Sequence, residues 1–250
     1  MDNRYYEILR NSSQEDFYQA INNPEAELYE VLWDLFETAV IEPAEIFDSD
    51  FRKRNQFRYG FGEGAILEFF PEAPYFDNRK GPDPYSNDTE AAGVHLKLSV
   101  QPYMSCLFSV GFQVWGRPER MAFKQLWQRN RKVIANIFHR AKPMVFTATH
   151  LPAVEHAPTI DELLDNYFSI SDPKNFLEFQ YSFAQFDENV HAENFMVYMS
   201  LLYHSIRGYC LEKEFCLEYW LDQMKHFYSD RLPDLPTPMP CTEITIRTDI

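Results

Sequence analysis

Glycine, cysteine and basic residues are all scarce in this chain of 250 residues. With 8 glycines and 45% apolar residues, the composition excludes collagen and low-complexity disorder and predicts a folded globular chain. The 4 cysteines contain no C-x-x-C pair and are too few for a disulfide scaffold. Cysteine use therefore favours a reducing compartment, and we expect the protein to be cytoplasmic.

A long apolar run that would predict a membrane segment is absent as well. The first 20 residues lack the apolar core that a signal peptide requires. The longest uncharged stretch, Leu98 to Gly116, contains Pro102 and alternates with a period of two, which predicts a β-hairpin and not a transmembrane helix. We therefore expect a soluble chain without a membrane partner.

Recognisable catalytic motifs are also missing, since the sequence contains no G-x-S-x-G elbow, no H-E-x-x-H pair and no P-loop. Metal-assisted phosphodiester cleavage needs several carboxylates beside a lysine. Two sets of residues approach that order and each lacks one required group: Glu68, Asp88, His95 and Lys97 in the first, and Asp161, Glu178 and Gln180 in the second. The sequence assigns no catalytic residue, and it predicts neither a metal nor a cofactor.

Hydrophobic periodicity predicts helices at both ends of the chain and a sheet in its centre. Apolar residues recur at helical spacing from Leu28 to Ala39 and again from Val190 to Tyr228. Between them, residues 94–100 and 106–114 alternate with a period of two and predict an antiparallel hairpin. We predict one α+β domain over 1–250, with N-terminal helices in 1–50, a central antiparallel sheet and a basic helix in 51–150, and a helical C-terminal part in 151–250.

Shorter signals mark the ends of individual elements. Capping boxes are predicted at Ser12 with Glu15 and at Thr159 with Glu162. Pro118 is predicted to open a helix that ends near residue 141. Further strands are predicted at 65–70, 144–149, 175–183 and 242–248, and a glycine-rich turn is predicted at 58–64.

The net charge of −15 is distributed unevenly along the chain. Residues 1–50 carry a net charge of −11, residues 101–150 a net charge of +7, and residues 151–200 a net charge of −8. Eight basic residues and a single acid, Glu119, lie between Arg117 and Lys142. The chain therefore combines acidic N-terminal helices with a basic helix in its centre.

Basic residues are the candidate binding residues for nucleic acid or another anion. On a helix over 117–142, Arg129, Lys132, His139 and Arg140 lie opposite the apolar stripe and face solvent, as a phosphate-binding surface requires. A second cluster interleaves basic residues with rings that suit stacking on unpaired nucleobases; it contains Arg52, Lys53, Arg54 and Arg58 with Phe51, Phe57, Tyr59 and Phe61. The opposing interpretation is that the basic helix only balances the charge of the acidic N-terminal helices.

Charge segregation without catalytic motifs predicts an interaction protein. We expect it to have no catalytic activity of its own and to bind a protein partner through acidic and aromatic surfaces. Two alternatives stay open: a nucleic-acid-binding or metal-dependent nucleic-acid-processing component that uses the basic helix 117–142, and an acidic mimic of nucleic acid that occupies a basic partner. The first alternative predicts salt-dependent binding of nucleic acid.

Overall fold

Six strands of the described residues form one antiparallel sheet, in which the strands follow their order along the chain except that the sixth lies between the fourth and the fifth. The computed structural model describes residues 3–61, 65–71, 93–102, 108–115, 117–147, 159–169, 177–183 and 189–210, with Leu217, Asp222 and Leu235. Its strands are β1 (Asn55–Phe61), β2 (Ala65–Pro71), β3 (Gly93–Val100), β4 (Phe108–Trp115), β5 (Met144–Thr147) and β6 (Leu177–Phe183). The predicted α+β fold with a central antiparallel sheet is confirmed.

Helices precede and follow the sheet, as the sequence predicts. The N-terminal ones are α1 (Asn3–Asn11), α2 (Gln14–Asn22), α3 (Glu27–Phe36), a π-helical turn (Glu37–Ile41), α4 (Glu42–Glu45) and α5 (Phe51–Arg54). The later ones are α6 (Arg117–Ala141), α7 (Ile160–Ser169) and α8 (Asn189–Cys210). Among the described residues, no helix is long and apolar enough to cross a bilayer.

One face of the sheet carries the apolar core and receives the helices. Phe179 of β6 contacts Phe138 of α6 with ring centroids 4.5 Å apart, and Phe69 of β2 contacts Phe36 of α3 at 5.4 Å. The two strand residues belong to one buried row across the sheet, which consists of Phe69, Leu96, Phe112 and Phe179. Because side chains alternate along a strand, the positions between these residues lie on the opposite face.

The first capping box lies one residue later than predicted. Ser13, and not Ser12, caps α2: its Oγ accepts the Asp16 amide at 3.2 Å, and the Asp16 carboxylate accepts the Ser13 amide at 2.7 Å. Ser12 instead donates to a carbonyl at the end of α1 at 2.7 Å, so it closes the preceding helix. The predicted box at Thr159 and Glu162 is confirmed, since the Thr159 amide donates to the Glu162 carboxylate at 2.9 Å.

Strand β1 takes the place of part of the predicted glycine-rich turn. It pairs with β2 from Asn55 opposite Pro71 to Phe61 opposite Ala65. Residues 58–61 of the predicted turn are therefore strand, including Gly60, whereas residues 62–64 lie outside the described residues. The hairpin β3–β4 and the strands β2, β5 and β6 are confirmed at their predicted places. The strand predicted at 242–248 lies outside the described residues.

A π-helical turn joins α3 to α4 without ending the helical run. Pro43 has no amide hydrogen, and its ring would clash with the carbonyl of Ala39 in a regular α-helix. The turn adds one residue there, and the Glu42 amide donates to the Glu37 carbonyl, five residues earlier. Glu42 is thereby placed near Glu193 of α8, whose pKa is raised by burial and by the Glu42 charge.

Candidate functional site

Acidic and aromatic side chains share one surface of the N-terminal helices. In α3, Glu27, Glu30 and Asp34 recur at helical spacing, so their carboxylates form one exposed row while the opposite side of the helix is buried. Tyr29 and Trp33, one turn apart beside this row, stack with ring centroids 6.4 Å apart. We call this the acidic–aromatic surface; its residues are Tyr5, Glu25, Glu27, Tyr29, Glu30, Trp33 and Asp34.

Helix α1 borders this surface through two contacts. Arg4 pairs with Glu27, and the Tyr5 hydroxyl donates to the Asp34 carboxylate at 3.1 Å. That hydrogen bond and the Asp34 charge raise the pKa of the Tyr5 hydroxyl. Glu25 and Glu30 are exposed, and neither forms an ion pair with a residue that the structure describes.

Three bases of the second basic cluster, Arg52, Lys53 and Arg54, form ion pairs within the N-terminal part of the protein. Arg52 pairs with Glu37 at 2.6 Å and with Glu45 at 2.9 Å, and its hydrogen bonds to these carboxylates raise the pKa of its guanidinium. Arg54 pairs with Asp48 at 3.3 Å. Arg52 and Arg54 therefore balance the charge of the acidic N-terminal segment. The opposing interpretation of the sequence assigns this role to the basic helix and not to this cluster.

Two rings of the same cluster pack in the core or against it. Phe51 is fully buried, and Phe57 contacts Trp33 with centroids 5.1 Å apart. Since both rings are engaged inside the protein, they are not available to stack on nucleobases. Arg58, the last candidate of this cluster, lies in β1 opposite Glu68 in the register with β2.

The candidate residues of the basic helix lie mainly in solvent. Arg129, Lys132 and His139 are exposed, and Arg140 is partly buried. The backbone of α6 departs from helical geometry at Asn130 (φ −122°, ψ 31°), so Arg129 lies before a kink and the other candidates after it. We call the exposed row after the kink the basic stripe; it consists of Lys132, Asn136 and His139.

Another side of α6 holds α7 in place. Arg131 pairs with Asp161 at 3.0 Å and with Asp165 at 2.6 Å, and its guanidinium lies 4.9 Å from the centroid of the Trp127 ring. Although partial burial opposes ionisation, hydrogen bonds from Trp127 and Arg131 lower the pKa of Asp165. Two more bases of α6 donate to carbonyls at the end of α7: Arg120 to Tyr167 and Lys124 to Phe168. These contacts join α6 to α7 and not to the acidic N-terminal helices.

The basic stripe ends at a cleft of about 680 Å³ between α6, β5 and α7. Its polar lining consists of Asn136, His139, Lys142, Thr159 and Asp161. Its apolar lining includes Phe138, Val145, Ile160 and Leu163. The volume lies within the range of small-molecule sites, which combine an apolar wall with a few polar groups.

The sheet face opposite the helices carries a polar array on β3, β4 and β6. Strand register forms three rows: Ser99, Ser109 and Ser182; Lys97, Gly111 and Gln180; and His95, Gln113 and Glu178. Lys97 and Glu178 form an ion pair of 2.6 Å although their side chains are only 13% and 7% exposed, and Gln180 donates to Glu178 as well. The Lys97 side chain passes over Gly111 to reach Glu178. Glycine leaves room for it, since a Cβ at this position would lie 3.2 Å from the Lys97 Cε.

The polar array unites residues that the sequence places in two separate sets. His95 and Lys97 come from the first set, and Glu178 and Gln180 from the second. Asp161 is absent from the array because it lies in α7, and Asp88 lies outside the described residues. Within the part of the chain that the structure describes, no group of three or more His, Cys, Asp or Glu side chains is placed to hold a metal ion.

Comparisons with protein families, curated proteins and solved structures give no match to this chain. The geometry of its own surfaces is therefore the basis for assigning a function. Three features stand out in that geometry: the acidic–aromatic surface, the basic stripe with its cleft, and the polar array.

Proposed function

We propose that this protein is a non-catalytic interaction protein of the cytoplasm that binds a protein partner through its acidic–aromatic surface. The exposed carboxylate row of Glu27, Glu30 and Asp34 beside the stacked Tyr29 and Trp33 supports the proposal. Tyrosine and tryptophan are enriched where protein interfaces bury most area. Because a carboxylate row attracts positive charge, the partner is expected to present a basic face.

The rings of this surface are held in place before any partner binds. Trp33 contacts Phe57 at 5.1 Å and Phe36 at 6.0 Å between ring centroids, and Tyr5 is fixed by its hydrogen bond to Asp34. Side chains that are already ordered lose little conformational entropy on association. The surface is therefore suited to binding without rearrangement.

Charge reversal at Glu25 and Glu30 tests the surface without breaking an internal ion pair. We expect Glu25→Lys with Glu30→Lys to weaken partner binding at least about tenfold, because two like charges then face a basic surface. The measurement compares, by quantitative mass spectrometry, the proteins that wild-type and variant chains retain from a cell lysate. Retention by the wild type should also fall as ionic strength rises.

The matched control carries the same change of net charge elsewhere. Glu42→Lys with Asp222→Lys reverses two other exposed carboxylates, of which Glu42 lies on the α8 side of the molecule. The control should retain the same proteins as the wild type. The proposal is wrong if the two double variants retain the same set of proteins.

Nucleic-acid binding by α6 is a second candidate function. The exposure of Arg129, Lys132 and His139 on one helix favours it. A row of cations suits a chain of phosphates, because each neutralised phosphate releases condensed counterions. The carboxylates of the acidic–aromatic surface lie on other helices, α3 and the residues just before it.

A charge reversal on α6 tests this second function. Arg129→Glu with Lys132→Glu is expected to abolish binding of a fluorescein-labelled single-stranded oligonucleotide at low salt, as measured by fluorescence anisotropy. Arg10→Glu with Lys53→Glu, at two exposed bases of the N-terminal part, is the control of equal charge and should keep the binding. If the wild type binds no oligonucleotide at low salt, this function is excluded.

A further inference from the structure

We propose that the cleft between α6, β5 and α7 binds a small ligand that joins a planar ring system to a phosphate group, as a nucleoside monophosphate does. This inference goes beyond the proposed interaction function, because the cleft lies apart from the acidic–aromatic surface. It rests on three observations: the cleft itself, the basic residues Lys142 and His139 at its α6 edge, and a strained backbone at Lys142.

A histidine and a lysine line the cleft at the C-terminal end of α6. His139, in the last turn of α6, and Lys142, the residue that follows the helix, both line the cleft and are three residues apart in the sequence. Asn136, one turn before His139 on the basic stripe, adds an amide to the same edge. We place the phosphate group of the proposed ligand at this edge.

Lys142 adopts a conformation that its side chain disfavours. Its φ of 43° lies in the left-handed region, and its amide donates to the Phe138 carbonyl at 2.8 Å, as at the C-terminal cap of a helix. Glycine usually occupies this position because it has no Cβ to clash. A strained residue at the edge of a cleft is typical of a functional position, and Lys142 is one of the residues that line this cleft.

The lining determines the chemistry of the ligand. Arginine favours planar carboxylates through paired hydrogen bonds, whereas lysine acts on phosphate as a point charge. Among the described residues, the basic side chains that line this cleft are Lys142 and His139. Opposite them, Ile160, Leu163 and Val145 form an apolar wall suited to a flat ring. Asp161, the acid of the lining, is paired with Arg131 at 3.0 Å, which reduces its repulsion of an anion.

The experiment titrates the intact chain with AMP by calorimetry, and with adenosine and inorganic phosphate as separate probes. We expect AMP to bind at least about tenfold more tightly than either fragment, because only AMP uses both the basic edge and the apolar wall. Lys142→Gly should weaken AMP binding about tenfold by removing a charge-assisted hydrogen bond. The same change should raise the Tm by about 2–4 °C, because glycine relieves the strain at φ 43°.

Two further variants separate the cleft from the rest of α6. His139→Glu, at an exposed position, should weaken AMP binding as Lys142→Gly does, whereas Lys132→Glu lies outside the cleft lining and should leave it unchanged. The inference is overturned if the wild type does not bind AMP, or if Lys132→Glu weakens binding as much as His139→Glu. Because these titrations use no protein partner, their failure leaves the proposed interaction function standing, and the reverse also holds.

Discussion

Replacing Lys97 by methionine is expected to lower the free energy of unfolding by about 3–5 kcal/mol, because it leaves the buried Glu178 carboxylate without its cation. The two side chains are 13% and 7% exposed and form an ion pair of 2.6 Å, so water screens neither charge well. Methionine preserves most of the length and apolar stem of lysine, which limits the change to the loss of charge. Urea unfolding monitored by circular dichroism measures the difference.

The double variant Lys97→Met with Glu178→Met is the matched control. Replacing both members of a buried pair by apolar side chains of similar size is often neutral, so the double variant should recover most of the lost stability. A double-mutant cycle then gives the coupling energy of the pair. If Lys97→Met alone costs less than about 1 kcal/mol, as at a surface ion pair, the polar array is not the buried feature that its geometry indicates.

Acidification below pH 6.5 is expected to destabilise the protein through His204 of α8. Burial first, and then the charge of Arg207, lower the pKa of this imidazole to about 3. The neutral ring fits its surroundings, since it packs edge-on against Tyr203 with centroids 5.2 Å apart and places Nε2 3.1 Å from the Ala44 carbonyl. The neutral tautomer with hydrogen on Nε2 donates to that carbonyl.

The direction of the effect follows from the two pKa values. The unfolded chain takes up a proton at His204 below about pH 6.5, whereas the folded protein excludes it down to a pKa of about 3. The contribution of His204 to stability is therefore complete above pH 6.5 and is lost as the pH falls toward 3. The loss amounts to about 1.4 kcal/mol per pH unit and reaches about 4 kcal/mol at the end of this range.

His204→Phe isolates this contribution. The variant keeps the ring contacts and loses the hydrogen bond to Ala44, so it should be less stable than the wild type at pH 8 by about 1 kcal/mol. Its stability should fall less steeply on acidification, and the two curves of unfolding free energy against pH should cross below pH 6. Parallel curves would show that His204 does not bind its proton differently in the two states.

Local sequence signals predicted the helices and strands of the fold more completely than they predicted which of them pair with each other. The β3–β4 hairpin was predictable because alternation and a short connection are both local properties. The pairing of β1 with β2 was not predictable. Gly60 by itself indicates a turn, and only its pairing with β2 shows that it lies in a strand. The cap lies at Ser13 and not at Ser12 for a similar reason. Two adjacent serines are equally good caps in the sequence, and only the hydrogen bond of Ser12 to the end of α1 distinguishes them.

For the candidate site residues too, local properties were predictable from the sequence and distant partners were not. Exposure of Lys132 and His139 was predictable from the helical wheel, because the apolar stripe of α6 fixes which side faces the core. The partners of Arg52 and Arg131 were not predictable, because both side chains form ion pairs with acids that lie many residues away in the sequence. The polar array was not predictable from the sequence, because it is the order of the strands in the sheet that brings Lys97 next to Glu178.

Carboxyl footprinting tests the central claim, that the acidic–aromatic surface binds a protein partner, most directly. Carbodiimide with glycine ethyl ester modifies exposed carboxylates, so Glu25, Glu30 and Glu42 should all be labelled in the free protein. In the protein recovered with its partner from a lysate under mild conditions, the account predicts that Glu25 and Glu30 are protected while Glu42 is labelled as before. Equal labelling of Glu25 and Glu30 in the free and bound protein, or protection confined to Glu42, would contradict it.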